Sequence, residues 1–297
     1  MVEEIALLMQ RLSFPEDAIS DLCETAKKIL GNEAAHAAFC DILLPYEESE
    51  KCAYGKMFAA MKDLSEKLEI REYAGTMILL LAMCKKLKER YAERGLSDEL
   101  FYHTMEDLRY KNEECRLLYG QNGTFVASWY PGFYKLERFA FGRLQFGVYR
   151  LGFSCKYKGE TLLPDYTALD IHIPRTGTKL DHDEVLKSYQ MAKEFYKDFY
   201  KDLFKDQPAV FTCHTWMLYP WNLTVLSPNS NMYAFYKDFE IIDSGDYETH
   251  KDAWRLFDCL FDGDASKLPR DSSLRRAYAD RIANGEPTGW GLGIFVL

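Results

Sequence analysis

The chain has no apolar run long enough to cross a bilayer. Its longest, residues 77–84, falls far short of the ~20 residues a membrane helix needs. The acidic start Met1-Val2-Glu3-Glu4 lacks the basic region of a signal peptide, so a cytoplasmic protein with no membrane partner is expected. No block of Lys and Arg stands out, and 46 acidic against 37 basic residues leave a net charge of -9. That balance argues against nucleic acid as a partner. The eight cysteines are scattered, with no Cys-x-x-Cys pair, which fits reduced, buried thiols better than disulfides or structural zinc. No internal repeat is visible. Gly289, Gly291 and Gly293 alternate without a following helix, so they are not a dinucleotide fingerprint.

What is present falls into two parts. From Val2 to about Tyr119 the apolar residues recur at helical spacing. After an opening helix, Ser13 or Pro15 starts a second with Ile19, Leu22, Cys23, Ala26, Ile29 and Leu30 as its stripe, stopping at Gly31. Further helices are expected at about 32–43, 56–69, 72–94 and 97–118, and together they predict a helical bundle over residues 1–120. The turn-forming run Tyr119-Gly120-Gln121-Asn122-Gly123-Thr124 then opens a second domain, 121–297. In that part 143–151 reads as a strand, 156–165 as a hairpin loop, about 251–261 and 273–284 as helices, and 289–297 as a last strand.

The second part is organised around residues 167–243. Ala168-Leu169-Asp170-Ile171-His172-Ile173-Pro174 reads as a strand, and 209–216 as another. Between them runs a helix with Asp181 as N-cap, Glu184 at capping-box spacing, and Val185, Tyr189, Ala192, Tyr196, Phe199 and Leu203 on one face. Its other face carries Lys187, Lys193, Glu194, Lys197, Lys201 and Asp202. Strand, one-sided helix and strand make a βαβ unit with parallel strands. A short amphipathic helix over 229–239 leads to a further strand at 240–243. The fold class is therefore α+β.

His214 falls near the C-terminal end of the second of these strands, the end where open α/β sheets place ligands. Its ordinary pKa suits a general base near neutral pH. His172 ends the neighbouring strand and would face the same crevice if the two are adjacent. Each is equally readable as a hydrogen-bonded core histidine. With Asp170 the pair also raises the idea of a metal-dependent hydrolase, although no recognised ligand spacing is present and no metal is expected. Asp181-His182-Asp183 lies at a helix start, where capping explains it. Cys213 beside His214 points to the opposite face of its strand, which argues against a dyad. The aromatic groups at 129–141 and 216–221 could line a pocket, but burial between the two domains accounts for them better.

This order of elements resembles the core of GNAT-type acyltransferases, and more closely a bacterial two-domain group with a helical N-terminal domain and a GNAT-like C-terminal domain. The resemblance is carried by Gly142-Arg143-Leu144-Gln145-Phe146, His172-Ile173-Pro174, Cys213-His214-Thr215-Trp216, and Ser230-Asn231 through Phe235 to Phe239. Asn229, Phe235 and Tyr236 match the family's Asn-x-x-Ala-x-x-Phe-Tyr, with Met232 where Ala is usual. It implies a GNAT-like mixed sheet with a central βαβ unit and a closing last strand. It further implies an acyl-CoA or acetyl-CoA co-substrate and transfer to a small amine or a peptide amine. Arg175, Thr176, Gly177, Thr178 and Lys179 then hold the CoA pyrophosphate, and Tyr236 is the acid that returns a proton to the thiolate. His214 becomes the base, with His172 in support. Only Gly177 remains of the family's usual glycine-rich loop. That departure favours the alternative of a GNAT-like protein that binds a ligand or partner without catalysis.

Overall fold

The computed structural model describes every residue of the chain except 202 and 251. Asp202, placed above on the polar face of a helix, and Lys251, expected to open one, lie outside the described residues. The chain divides into two compact units, Met1–Phe139 and Ala140–Leu297.

The first unit is helical: α1 (Val2–Arg11), α2 (Glu16–Leu30), α3 (Glu33–Glu48), α4 (Tyr54–Lys67), α5 (Glu72–Glu93), α6 (Asp98–Met105), α7 (Asp107–Tyr119) and the single turn α8 (Pro131–Tyr134). The apolar run at 77–84 is the middle of α5, where all but Ala82 are buried. This helix touches α1, α2, α3, α4 and α6, so a helix apolar all round is the one its neighbours enclose. The single helix expected over 97–118 is two, parted at Glu106.

The unit also extends beyond the turn at 119–124. Thr124 N donates to Tyr73 O at 3.1 Å, and Gly123 N to the buried Asn112 Oδ1 at 2.8 Å. Trp129 Nε1 donates to Asp107 Oδ2 at 3.1 Å, and Tyr134 OH to Leu80 O at 2.7 Å. The aromatic stretch after the turn thus completes the helical core.

The second unit carries β1 (Arg138–Phe141), which crosses the division, then β2 (Leu144–Arg150), β3 (Cys155–Tyr157), β4 (Glu160–Leu162), β5 (Thr167–His172), α9 (His182–Phe199), β6 (Val210–Thr215), α10 (Asn231–Lys237), β7 (Glu240–Asp246), α11 (Trp254–Phe257), α12 (Ser273–Ala283) and β8 (Gly289–Val296). Six strands form one sheet in the order β1-β2-β5-β6-β8-β7, and β3 with β4 makes a separate hairpin. β5 and β6 are parallel and joined by α9, while β6–β8, β7–β8 and β2–β5 are antiparallel. The last strand does not lie at the sheet's edge; it inserts between β6 and β7. Its glycines are needed there, since a Cβ on Gly291 would overlap the carbonyl of Leu218 in the turn that follows β6.

Helix α9 buries Val185, Ser188, Tyr189, Ala192 and Tyr196, a stripe at the expected period. The Asp181 carboxylate accepts from the N–H groups of Asp183 and Glu184, whereas Glu184 pairs outward with Lys187 at 2.7 Å. The helix ends at Phe199, short of Leu203, because Tyr200 leaves helical geometry at φ -113 and ψ 73. The helix expected at 251–261 shrinks to α11, which Asp258 terminates in the left-handed conformation at φ 60.

Candidate active site

The ladder between β5 and β6 pairs Ala168 with Val210, Leu169 with Phe211 and Asp170 with Thr212, and there it stops, although both strands continue. Beyond that point β5 stays paired with β2, up to His172 opposite Gln145, and β6 with β8, up to Thr215 opposite Gly291. Two parallel strands therefore part at their C-terminal ends, in the middle of the sheet. Pro174, two residues past the end of β5, has no N–H to donate to a ladder.

Strand alternation puts Asp170, His172, Thr212 and His214 on one face at this opening. Thr212 Oγ1 donates to Asp170 Oδ1 at 3.5 Å, and Asp170 Oδ2 lies 3.3 Å from His172 Nε2. His172 is half-buried. His214 is exposed, with its ring against Trp290 at 4.5 Å between centroids. Partial loss of water lowers the His214 pKa below the ordinary imidazole value, while Asp243 and Asp252 pull the other way. The balance favours the neutral form of the imidazole.

The opposite face is apolar. Tyr189 of α9 packs on Phe211 at 5.9 Å and on Phe295 at 4.8 Å. Cys213 is wholly buried on this side, and burial pushes its thiol pKa well up, which rules against a nucleophile. Helix α10 shares the face: Phe239 meets Phe295 at 5.2 Å, and Asp238 accepts from Tyr189 OH at 3.1 Å while lying 2.9 Å from His182 Nε2. His182 is therefore a brace between α9 and α10 as well as a member of the helix start. Tyr236 on α10 is buried, which pushes its hydroxyl pKa up and keeps it protonated.

The loop 175–179 joins the end of β5 to α9. Arg175 and Lys179 are exposed, and Gly177 takes φ 79 with nothing close to where a Cβ would sit. Thr176 and Thr178 share a hydroxyl hydrogen bond of 2.8 Å. Arg143 braces the loop from β2's leading turn, donating from Nη1 to Pro174 O at 2.9 Å and from Nε to Lys179 O at 3.4 Å. Arg175 itself pairs with Asp258 at 2.9 Å.

Residues 138–295 match the family described as GNAT-like C-terminal domain, and residues 3–136 match the N-acyltransferase N-terminal domain. The chain belongs to the two-domain GNAT-like acyltransferase family. No curated protein matches it. Among solved structures, the fold is shared with an acyltransferase mutant in complex with octanoyl-CoA, at 20% identity and a TM-score of 0.76, over 99% of this chain and 88% of that one. An acyltransferase in complex with decanoyl-CoA and teicoplanin is also similar, at 20% identity and a TM-score of 0.71, over 98% and 86% of the two chains.

In this GNAT-like domain strand alternation puts the two histidines singled out from sequence on one face, at the parting of the strands. The loop 175–179 lies at the end of one of those strands, and Tyr236 sits with the helices of the other face. The aromatic group at 216–221 finds its partners inside the domain, with Trp216 and Trp221 against Tyr278 at 6.0 and 4.9 Å. Among the described residues no group of three or more His, Cys, Asp and Glu could hold a metal ion, and no helix is long and apolar enough to cross a membrane. Asp170 was noted from sequence beside the histidines, but the contacts of Arg143 and Asp258 with the loop 175–179 were not foreseen. Their roles depend on which strand lies beside which, and local spacing carries no such signal.

Proposed function

We propose that the protein is an acyl-CoA-dependent N-acyltransferase that moves an acyl group directly to the amine of a small molecule or peptide. The observation that carries this reading is the parting of β5 and β6, with imidazoles on one face of the opening and α9 and α10 on the other. An opening through the sheet lets a thioester and an amine meet from opposite sides, and holding them together supplies much of the rate. The solved structures similar to this chain, with octanoyl-CoA, decanoyl-CoA and teicoplanin, support both a donor of that class and a bulky acceptor.

The residues take the following parts. Arg175, Lys179 and the loop N–H groups hold the donor's pyrophosphate. Asp181 already occupies the first N–H groups of α9, and Asp183 and Glu184 follow it, so the loop and its cations carry this work rather than the helix end. The amine nitrogen attacks the thioester carbon, the C–N bond forms and the C–S bond breaks. His172 takes the amine proton, because Asp170 beside it stabilises the imidazolium as it forms. This reverses the roles expected from sequence: His214, exposed and neutral beside Trp290, lines the acceptor's approach. Tyr236, kept protonated by burial, supplies a proton to the departing thiolate.

The test is thermal unfolding with CoA thioesters from acetyl to long-chain, followed by transfer assays with amine acceptors. A saturable rise in melting temperature for a preferred chain length is expected, because a ligand that binds only the native state stabilises it. No shift with any CoA species would favour the non-catalytic binding protein.

A further inference from the structure

Asp246 on β7 and Gly289 on β8 are register partners in an antiparallel pair, which a two-residue turn could join. The chain instead makes an excursion over residues 247–288. It contains α11 and α12 and has its own apolar cluster, built on Ala253, Phe257, Leu268, Tyr278, Ala279 and Ile282.

One side of the excursion is fastened to the end of β6. Trp216 and Trp221 pack against its cluster. The fully buried Asn222 donates to Trp216 O at 2.8 Å and to Met217 O at 3.1 Å, and accepts from Tyr278 OH at 2.6 Å. The other side reaches the loop after β5, where Asp258 Oδ1 meets Arg175 at 2.9 Å. β6 lies between β8 and β5 in the sheet. A segment rooted on β7 and β8 that touches the loop after β5 must therefore cross the C-terminal end of β6, where the strands part.

The two fastenings differ in kind. Asn222 is buried with every polar atom engaged, a contact costly to break. The Arg175–Asp258 pair is partly open to solvent, and such pairs are weak. Asp258 also holds Arg275 through its other oxygen at 2.6 Å, and Arg275 donates to Leu256 O at 2.8 Å. Losing Arg175 therefore leaves the Asp258 carboxylate neutralised and in place.

We infer that residues 252–288 form a strap across the opening and that Asp258 is its latch, holding Arg175 until the diphosphate of the donor takes it. The inference rests on the acyl-CoA reading above. A diphosphate carries more charge than one carboxylate and accepts a guanidinium in two-pronged geometry, so donor binding releases the strap's free side. The acceptor then enters an opening already committed to donor. Asp258 is a positioning residue, acting through Arg175.

The experiment titrates CoA into the full-length protein and its Asp258→Asn variant by calorimetry, with hydrogen exchange of residues 253–268 followed in parallel. Asn tolerates the left-handed backbone at this position. Freed of competition, the variant should bind CoA roughly 2–5-fold more tightly, as expected for loss of a weak ion pair. Its strap should exchange, without ligand, as fast as that of the wild type saturated with CoA. Arg175→Gln should free the strap equally while weakening CoA binding, and it serves if Asp258→Asn folds poorly. CoA affinity unchanged or reduced in Asp258→Asn, or a wild-type strap whose exchange does not respond to CoA, overturns the latch alone. A wild-type protein that binds no CoA overturns the acyl-CoA reading and the latch with it.

Discussion

The two faces of the central sheet have opposite characters within a few residues of the same strands. On the α9 side Phe211, Phe295 and Tyr189 stack into a dry aromatic layer, with Phe211 and Phe295 4.9 Å apart and parallel. On the other side stand Asp170 and His172 of β5 and Thr212 and His214 of β6, the strand that also carries Phe211. Two-residue alternation makes this possible, because each strand presents successive side chains to opposite faces. The apolar face supplies stability and holds the strands rigid. The polar face can then keep ionisable groups at an opening without having to contribute to the core.

This contrast makes its largest prediction for stability. Phe211→Ala should lower the unfolding free energy by about 3–5 kcal/mol, as for other fully buried aromatics. His214→Gln, three residues on and facing the other way, should change it by less than about 0.5 kcal/mol. Urea unfolding of both variants measures the difference, and comparable losses would mean that the polar face also holds the fold together.

Activity should show the reverse order. His172→Gln should lower kcat/KM by roughly 10²–10³-fold, the usual contribution of a positioned base, with its melting temperature and CoA binding close to wild type. His214→Gln should cost less than about tenfold, mainly in KM for the acceptor. A larger loss in kcat for His214→Gln than for His172→Gln would return the base to His214.

The smallest effect concerns pH. The native state disfavours protonated His214 and His250, whose pKa values burial lowers from 6.5. The unfolded chain therefore binds more protons in that range, and stability rises with pH. It should be complete above the ordinary imidazole pKa and should fall as pH drops below it. Unfolding midpoints of wild type and His214→Gln across about pH 5–8 check this: the variant should lose less on acidification, and identical slopes would show that His214 is fully solvated.

Much of this architecture was legible in local sequence. Asp181, the stripe from Val185 to Tyr196 and the apolar runs at 168–174 and 209–216 specify a helix between two strands, because capping and periodicity act over a few residues. The division of the chain was less so. The turn at 119–124 has the chemistry of a boundary, yet the helical unit continues to Phe139, because Thr124, Trp129 and Tyr134 bond to residues of α5 and α7 far back in the chain. The helix expected after residue 251 failed for a related reason. Its apolar spacing serves a small cluster with α12, and the backbone leaves helical geometry at Asp258 after one turn.

For the candidate site, sequence marked both histidines by their places near strand ends, and the family resemblance marked the loop 175–179 and Tyr236. Periodicity and capping are short-range effects written in each segment, so the βαβ unit follows from the chain itself, whereas a shared face for the two imidazoles required β5 and β6 to be neighbours. Only the tertiary structure decided that β8 inserts between β6 and β7, that the β5–β6 ladder stops after Asp170 and Thr212, and that Asp258 reaches Arg175. Those outcomes depend on packing between segments far apart in the chain, such as Leu218 against Gly291, and no local pattern encodes which distant surfaces will meet.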